Sequence, residues 1–233
     1  MRKPVCVVVG VGPGNGAAFA SRFVKEGYQV ALLARRKDFT NQLALELGDS
    51  QAFECDVSDI HSIQRVFKQI SKDLGMIDVV IYNAGSGIWG NIEEIKPEDF
   101  EMNWRVNTFG LLAVGQAVIP DMKKKGQGSI IIIGASASRR GGIKTAAFAP
   151  AKAAQRSLAE SMAKYLWPQR VHVALIIIDG VVDLPRTRES LPDKPDHFFV
   201  KPEDVANTAF WLTQQPASAW AFEVEARPFG ENW

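Results

Sequence analysis

The sequence predicts a doubly wound α/β fold, a seven-stranded, mostly parallel sheet with helices on both faces. Three observations point there. Short apolar runs alternate with longer amphipathic ones almost end to end, the order of a parallel sheet covered by helices. The short runs are rich in β-branched residues and nearly continuous in hydrophobicity, as strands buried on both faces must be. The first of them breaks directly into a glycine-rich turn.

Taken in order, the predicted strands are Val5–Val9, Val30–Ala34, Gln51–Cys55, Val79–Tyr82, Ile130–Ile133, Val171–Ile178 and Trp220–Glu225. The predicted helices are Gly14–Glu26, Phe39–Leu47, Ile60–Leu74, Pro97–Lys125, Thr145–Trp167 and Pro202–Gln214. Pro97 with Glu98 and Asp99 marks a helix start, and Lys123–Lys125 before Gly126 marks its end. The stretch Asp179–Val200, with Pro185, Pro192 and Pro195, is long for a plain connection. Connections of that length are usually lids or binding loops, and this one leaves the sixth strand at the edge where open α/β sheets bind ligands. The 233 residues therefore read as one dinucleotide-binding domain, 1–233, with a lid at about 179–200.

Bulk properties exclude several function classes. Lys and Arg number 27 against 26 Asp and Glu, a net charge of +1, so no global field recruits nucleic acid or an anionic membrane. No segment approaches the ~20 apolar residues that span a bilayer. Arg2-Lys3 before Val5–Val9 resembles a signal peptide only briefly, because the apolar run is short and ends in glycines. A cytoplasmic protein is the expectation. Cys6 and Cys55 fall on strands that a 3-2-1 order holds about 9–10 Å apart, beyond disulfide reach. Three scattered histidines and two cysteines give no metal-site spacing.

The glycine turn reads Gly10-Val11-Gly12-Pro13-Gly14-Asn15-Gly16 and leads into a helical pattern. A strand, such a turn and a helix bring backbone N–H groups to a pyrophosphate, as in Rossmann-type folds. Two registers fit: Gly10-x-x-x-Gly14-x-Gly16, and Gly12-x-Gly14-x-x-Ala17. The second strand ends Ala34-Arg35-Arg36, with a carboxylate only at Asp38. Two cations and no acceptor suit the 2′-phosphate of NADP(H) better than the free hydroxyl of NAD(H).

With these residues in order, the chain resembles the short-chain dehydrogenase/reductase family over nearly its whole length. The Gly10/Gly14/Gly16 spacing is similar to that family's glycine loop, and Asp56-Val57 to its adenine-contacting pair. Asn83-Ala84-Gly85 resembles its fourth-strand motif, Asn107 its mid-helix asparagine, and Lys152 its active-site lysine. Asp179-Gly180 stands in place of its Pro-Gly after strand six. The resemblance implies oxidoreductase activity on a carbonyl or alcohol substrate. It implies that Asn107 holds a water in a proton relay, and that Lys152 binds ribose and places charge beside the nicotinamide. It also implies pairing of the Thr145–Trp167 helix between subunits of a homodimer or homotetramer, and the alanines at 146, 147, 149, 151, 153 and 154 would permit close packing there.

Departures from the pattern cluster at the chemistry. Phe148 stands four residues before Lys152, where the family carries the tyrosine that donates a proton. Ala135 stands at the family's serine, with Ser136 and Ser138 nearby. Leu184 stands where a threonine often contacts the carboxamide, and Pro13 removes an N–H from the phosphate turn. Replacement proton donors are a water held by Asn107 and Lys152, Ser136, Asp179, Asp183 or His197. Asn107, Ser136 and Lys152 are thus the candidate catalytic residues. The alternative function is a catalytically degenerate NADP(H)-binding regulator or scaffold.

Overall fold

The computed structural model describes residues 2–230; Met1 and residues 231–233, the ends of the predicted 1–233 unit, lie outside the described residues. Seven strands form one sheet in the order β3-β2-β1-β4-β5-β6-β9. They are β1 (Val5–Val9), β2 (Gln29–Ala34), β3 (Ser50–Glu54), β4 (Ile77–Tyr82), β5 (Gly128–Ala135), β6 (Val171–Ile178) and β9 (Glu223–Ala226). Every neighbouring pair is parallel. The order reverses between β1 and β4, which opens a crevice at the carboxyl ends of those two strands.

Helices α1 (Asn15–Lys25), α2 (Asp38–Leu47) and α8 (Pro202–Gln214) cover one face. Their residues Phe19, Phe23, Leu43, Val205 and Leu212 pack with Val8, Leu32, Ile81 and Ile176 of the sheet. The other face carries α3 (Ile60–Asp73), α5 (Gly110–Lys125) and α6 (Phe148–Leu166), whose Ile63, Leu111, Val118 and Met162 meet Val7, Val80, Ile132 and Leu175. Alternation along each strand thus feeds two separate cores, the consequence of a period of two in a doubly covered sheet. Cys6 and Cys55 are buried free thiols, and burial raises the pKa of both. No helix among the described residues is long and apolar enough to cross a membrane.

Three elements depart from the sequence expectation. The run expected as one helix over Pro97–Lys125 is α4 (Pro97–Trp104), a π-helical turn over Arg105–Phe109, and α5. One extra residue in the turn lets the Gly110 N–H donate to the Arg105 carbonyl and frees neighbouring carbonyls for side chains. The fully buried Tyr82 uses one, donating to the Val106 carbonyl at 2.6 Å. Next, α6 starts at Phe148 rather than Thr145, because the Thr145 hydroxyl closes a turn on the Gly142 N–H at 2.7 Å. Finally, Asp179–Val200 is not irregular. Its ends form the short parallel pair β7 (Val181–Val182) and β8 (Phe199–Val200), with α7 (Pro185–Ser190) between. These segments are too short to leave a periodic signal. Arg188 braces the excursion by a bidentate pair to Asp183 (2.7 and 2.8 Å) and a contact to Asp196 at 2.7 Å.

The last strand is held differently from the rest. All of β9 is only partly buried, and ion pairs tie it down. Arg156 and Arg139 both reach Glu223, at 2.6 and 2.7 Å, while Arg139 also pairs with Glu225. Glu225 in turn meets Arg227, which pairs with Asp179 at the end of β6.

On the second face Gly110 is closely packed, because a Cβ there would lie 2.7 Å from the Val57 carbonyl oxygen and run into the Tyr82 hydroxyl. Gly110→Ala is therefore expected to destabilise the fold by about 1–3 kcal/mol, the range for overpacking a core. Urea denaturation followed by circular dichroism checks it, and an unchanged midpoint would contradict the packing described.

Candidate active site

The glycine turn and the turn after β4 are pressed together by the absence of side chains. Gly10 has φ +88°, a left-handed value that favours glycine. A Cβ there would lie 2.5 Å from the Ala84 Cα. Its N–H and that of Val11 both donate to the Leu33 carbonyl at 2.9 Å, coupling the turn to the end of β2. Asn83 closes the contact, its Nδ2 donating to the Gly10 carbonyl at 2.7 Å. Gly16 is equally constrained, since a Cβ would stand 2.7 Å from the Val11 Cα. At Gly14 a Cβ would run into the Leu184 side chain, whereas at Gly12 it would meet open space. Backbone bars a side chain at Gly10 and Gly16, whereas at Gly14 the obstacle is the end of the Leu184 side chain, a pattern consistent with the first of the two registers. Asn15 opens α1 with its Oδ1 buried and without a protein partner.

Around this turn lie the other candidate cofactor residues. Arg35 and Arg36, just past β2, are exposed and make no hydrogen bond or ion pair with described residues. Asp56 follows β3, its carboxylate accepting from the N–H (2.9 Å) and hydroxyl (2.7 Å) of Ser58, and Val57 is buried beside it. At Gly180 a Cβ would lie 2.8 Å from Pro228 and 2.9 Å from Val200, so the chain passes there only without a side chain. A cavity of about 610 Å³ adjoins Pro13 and Gly14 beside α1 and is walled by Ala18, Leu43, Leu184 and Ala206.

The second half of the site centres on Lys152, which is 6% exposed. Its Nζ donates to the Ile133 carbonyl at 3.0 Å and to Gln155 Oε1 at 2.9 Å. Burial lowers its pKa to about 7. Asn107, in the π-helical turn, donates from Nδ2 to the carbonyls of Ser86 (3.0 Å) and Asn103 (2.8 Å). Its Oδ1 is buried without a protein partner. Gly85 lies between the two, a Cβ there being 3.5 Å from Asn107 Oδ1 and 3.9 Å from Lys152 Nζ. The chain therefore brings an ammonium, an open amide oxygen and a bare stretch of backbone to one spot. An amphiphile rich in hydroxyls and phosphates, such as a dinucleotide, fits that donor and acceptor set.

Phe148 lies on the same helix face as Lys152, its ring centroid 5.9 Å from Nζ. Its ring tilts against Trp89 with centroids 5.1 Å apart, and Trp89 is 62% exposed. Ser136 is half-buried at the start of a single 3₁₀ turn, and the buried Ser138 Oγ has no protein partner. Among the other donors considered, Asp179 pairs with Arg227, and the Arg188 hydrogen bonds hold Asp183 below the usual carboxylate range. His197 is exposed and stacks on Phe229 at 5.3 Å. Sequence reasoning missed Gln155 and Arg227. For Gln155 the signal was a buried amide three residues beyond Lys152 on one helix face.

Fold and crevice together define a dinucleotide-type α/β protein with a lysine on the helix following the fifth strand. The short chain dehydrogenase family profile matches residues 4–195, and the chain belongs to that family. It is an oxidoreductase of that family, its substrate unspecified. Among curated proteins it is 27% identical to "Carbonyl reductase family member 4" of Xenopus laevis over 217 residues, 91% of this chain and 92% of that one. Among solved structures it superposes on a short-chain dehydrogenase from Rhodopseudomonas palustris with a TM-score of 0.85 at 31% identity, covering 98% and 100% of the two chains. An alcohol dehydrogenase from Thermococcus sibiricus, complexed with 5-hydroxy-NADP, gives 0.88 at 25% identity over 99% of each.

Lys152 has a measurable thermodynamic consequence. With its pKa lowered to about 7 by burial against about 10.4 in an unfolded chain, the unfolded state binds more protons between those values. Stability must then rise with pH across that window, by up to about 1.4 kcal/mol per unit. Comparing the wild type with Lys152→Met by urea denaturation from pH 7 to 10 isolates the term. The wild type should gain relative to the variant as pH rises, and parallel profiles would contradict a buried lysine.

Proposed function

We propose that this oxidoreductase uses NADP(H) in preference to NAD(H) and acts on a carbonyl or alcohol. The observation that carries the preference is the pair Arg35 and Arg36, exposed and unpartnered at the end of β2. A 2′-phosphate offers such cations charge-assisted hydrogen bonds, and a free ribose hydroxyl would call for an acceptor instead. The NADP analogue in the Thermococcus sibiricus relative supports the same reading. The bound nicotinamide would supply or accept the hydride.

This chain's residues divide the remaining work. Gly10, Gly12, Gly14, Asn15 and Gly16 carry the pyrophosphate, and Asp56 and Val57 flank the adenine. Asn83, Ala84, Gly85 and Gly180 give backbone approach. Lys152 holds ribose hydroxyls and keeps a charge near the reacting centre, Asn107 orders the polar floor, and Ser136 orients the substrate oxygen. The apolar pair Phe148 and Trp89 faces the substrate, so the proton comes from a donor other than a phenol. In the same reading the chain is one domain with Asp179–Val200 as its lid, works in the cytoplasm, and forms a homodimer or homotetramer.

A second reading has its own support. Asp179 and Asp183 are committed to arginines, and Phe148 carries no ionisable proton. A protein that binds NADP(H) as a regulator or scaffold, with turnover lost, needs no more than the cofactor residues.

Two measurements test these readings. By calorimetry, Arg35→Ala with Arg36→Ala should weaken NADPH binding by about 10- to 100-fold, the value of one or two charge-assisted bonds, and leave NADH binding unchanged. Equal binding of NADPH and NADH by the wild type would overturn the preference. Turnover on a carbonyl panel is then compared with Phe148→Tyr combined with Ala135→Ser. Positioned acids contribute about 10²–10⁴-fold. Activity confined to the variant favours the regulator, and strong wild-type activity favours the enzyme.

A further inference from the structure

Gln155 plays no part in either reading, yet it is fully buried beside the lysine both depend on. It lies three residues beyond Lys152 on α6. Its Nε2 donates to the Asn107 carbonyl at 2.8 Å, and its Oε1 accepts from Lys152 Nζ at 2.9 Å. Chemistry fixes the amide's orientation. A backbone carbonyl only accepts, so the NH₂ end must face Asn107 and the oxygen is left for the ammonium. Asn107 belongs to the π-helical turn, where the shifted hydrogen-bond ladder leaves carbonyls for side-chain donors.

An ammonium has three hydrogens. Two are held on fixed acceptors, Ile133 O at 3.0 Å and Gln155 Oε1. The Nζ atom lies 3.9 Å from the position of a Gly85 Cβ and 5.9 Å from the Phe148 ring centroid, so the remaining hydrogen is left for the Gly85 side, which it shares with the unpartnered Asn107 Oδ1. We propose that Gln155 is the positioning residue of Lys152, its amide bridging the ammonium to the Asn107 carbonyl and aiming the free N–H at the dinucleotide face. The last clause alone rests on the dinucleotide reading. The family resemblance assigns a relay water to Asn107; an amide joins lysine and carbonyl without passing a proton along.

No ionisable group faces Lys152 from β5, from the Asn83–Ser86 turn, from the π-helical turn or from α6, and burial is the cause that lowers its pKa. Removing Oε1 withdraws an acceptor that favours the charged form, so the pKa must fall further. Full-length protein carrying ¹³Cε-lysine reports this directly by NMR, with the Lys152 signal assigned by its loss in Lys152→Met. In Gln155→Met the Lys152 midpoint should fall by about one pH unit, the size of one hydrogen bond to a charged group. In Gln155→Glu it should rise, because a carboxylate replaces the amide oxygen. A midpoint unchanged in a cooperatively folded Gln155→Met overturns the proposal. If that variant fails to fold, Gln155→Glu decides alone, and an unchanged or lowered midpoint there overturns it. NADPH titration at pH 6 supplies the second arm, with at least fivefold weaker binding expected for Gln155→Met. Equal affinity there removes the aiming role. A wild type that binds no dinucleotide defeats the functional reading, while the NMR midpoints still judge the bridge.

Discussion

A buried ammonium in a site without a carboxylate sets the terms for the carboxyl edge of the sheet. Taking a charge out of water costs several kcal/mol unless dipoles replace the lost hydration. Here the dipoles are the Ile133 carbonyl and the Gln155 amide, and both must sit within hydrogen-bond reach of one nitrogen. That requirement ties three elements together. β5 must end beside α6, α6 must begin at Phe148 so that Lys152 and Gln155 share a face, and the helix before β5 must carry a π-helical turn that presents the Asn107 carbonyl. Tyr82 uses the neighbouring carbonyl of the same turn, so β4 is drawn into the arrangement too.

The other half of the crevice is made by subtraction. Gly10, Gly14 and Gly16 matter for what they lack, because a side chain at any of them would meet Ala84, Leu184 or Val11. Charge is distributed accordingly. Cations at Arg35 and Arg36 are free, whereas the carboxylates Asp179 and Asp183, just past β6, are already neutralised by Arg227 and Arg188. Unpaired cations thus stand at the end of β2, while the carboxylates beyond β6 are committed to arginines.

Much of this was legible in the chain. The sheet, its seven strands and the six main helices follow from alternating apolar runs, because a strand buried on both faces has little choice of residue. The glycines and Asn83 are likewise legible, since backbone contact has a short menu of solutions. Other features escaped. The π-helical turn inserts one residue into a pattern that reads as continuous helix from Pro97 to Lys125, and periodicity cannot register a single insertion. Gln155 looked like one more polar residue on an alanine-rich helix, because its partners at 107 and 133 are distant in sequence. The pairing of Asp179 with Arg227 joins residues 48 apart, and the β7–β8 pair is two residues long.

The half-buried β9 gives the sheet an edge of a different character from its middle. Strands β1 and β4–β6 are sealed mainly by hydrocarbon, the exception being Asp78 near the start of β4, which pairs with Arg2 and Lys125. β9 instead hangs on a chain of alternating charges from Arg156 through Glu223, Arg139, Glu225 and Arg227 to Asp179. Desolvation works to raise the Glu223 pKa, but its bonds to Arg156 and Arg139 prevail and lower it. The support this gives is present at neutral pH and is lost as acid protonates the carboxylate. The seam is thus a hem sewn with ions: salt screens it, acid undoes it only below the ordinary glutamate range, and the strand it secures is the one leading into the chain's last described residues.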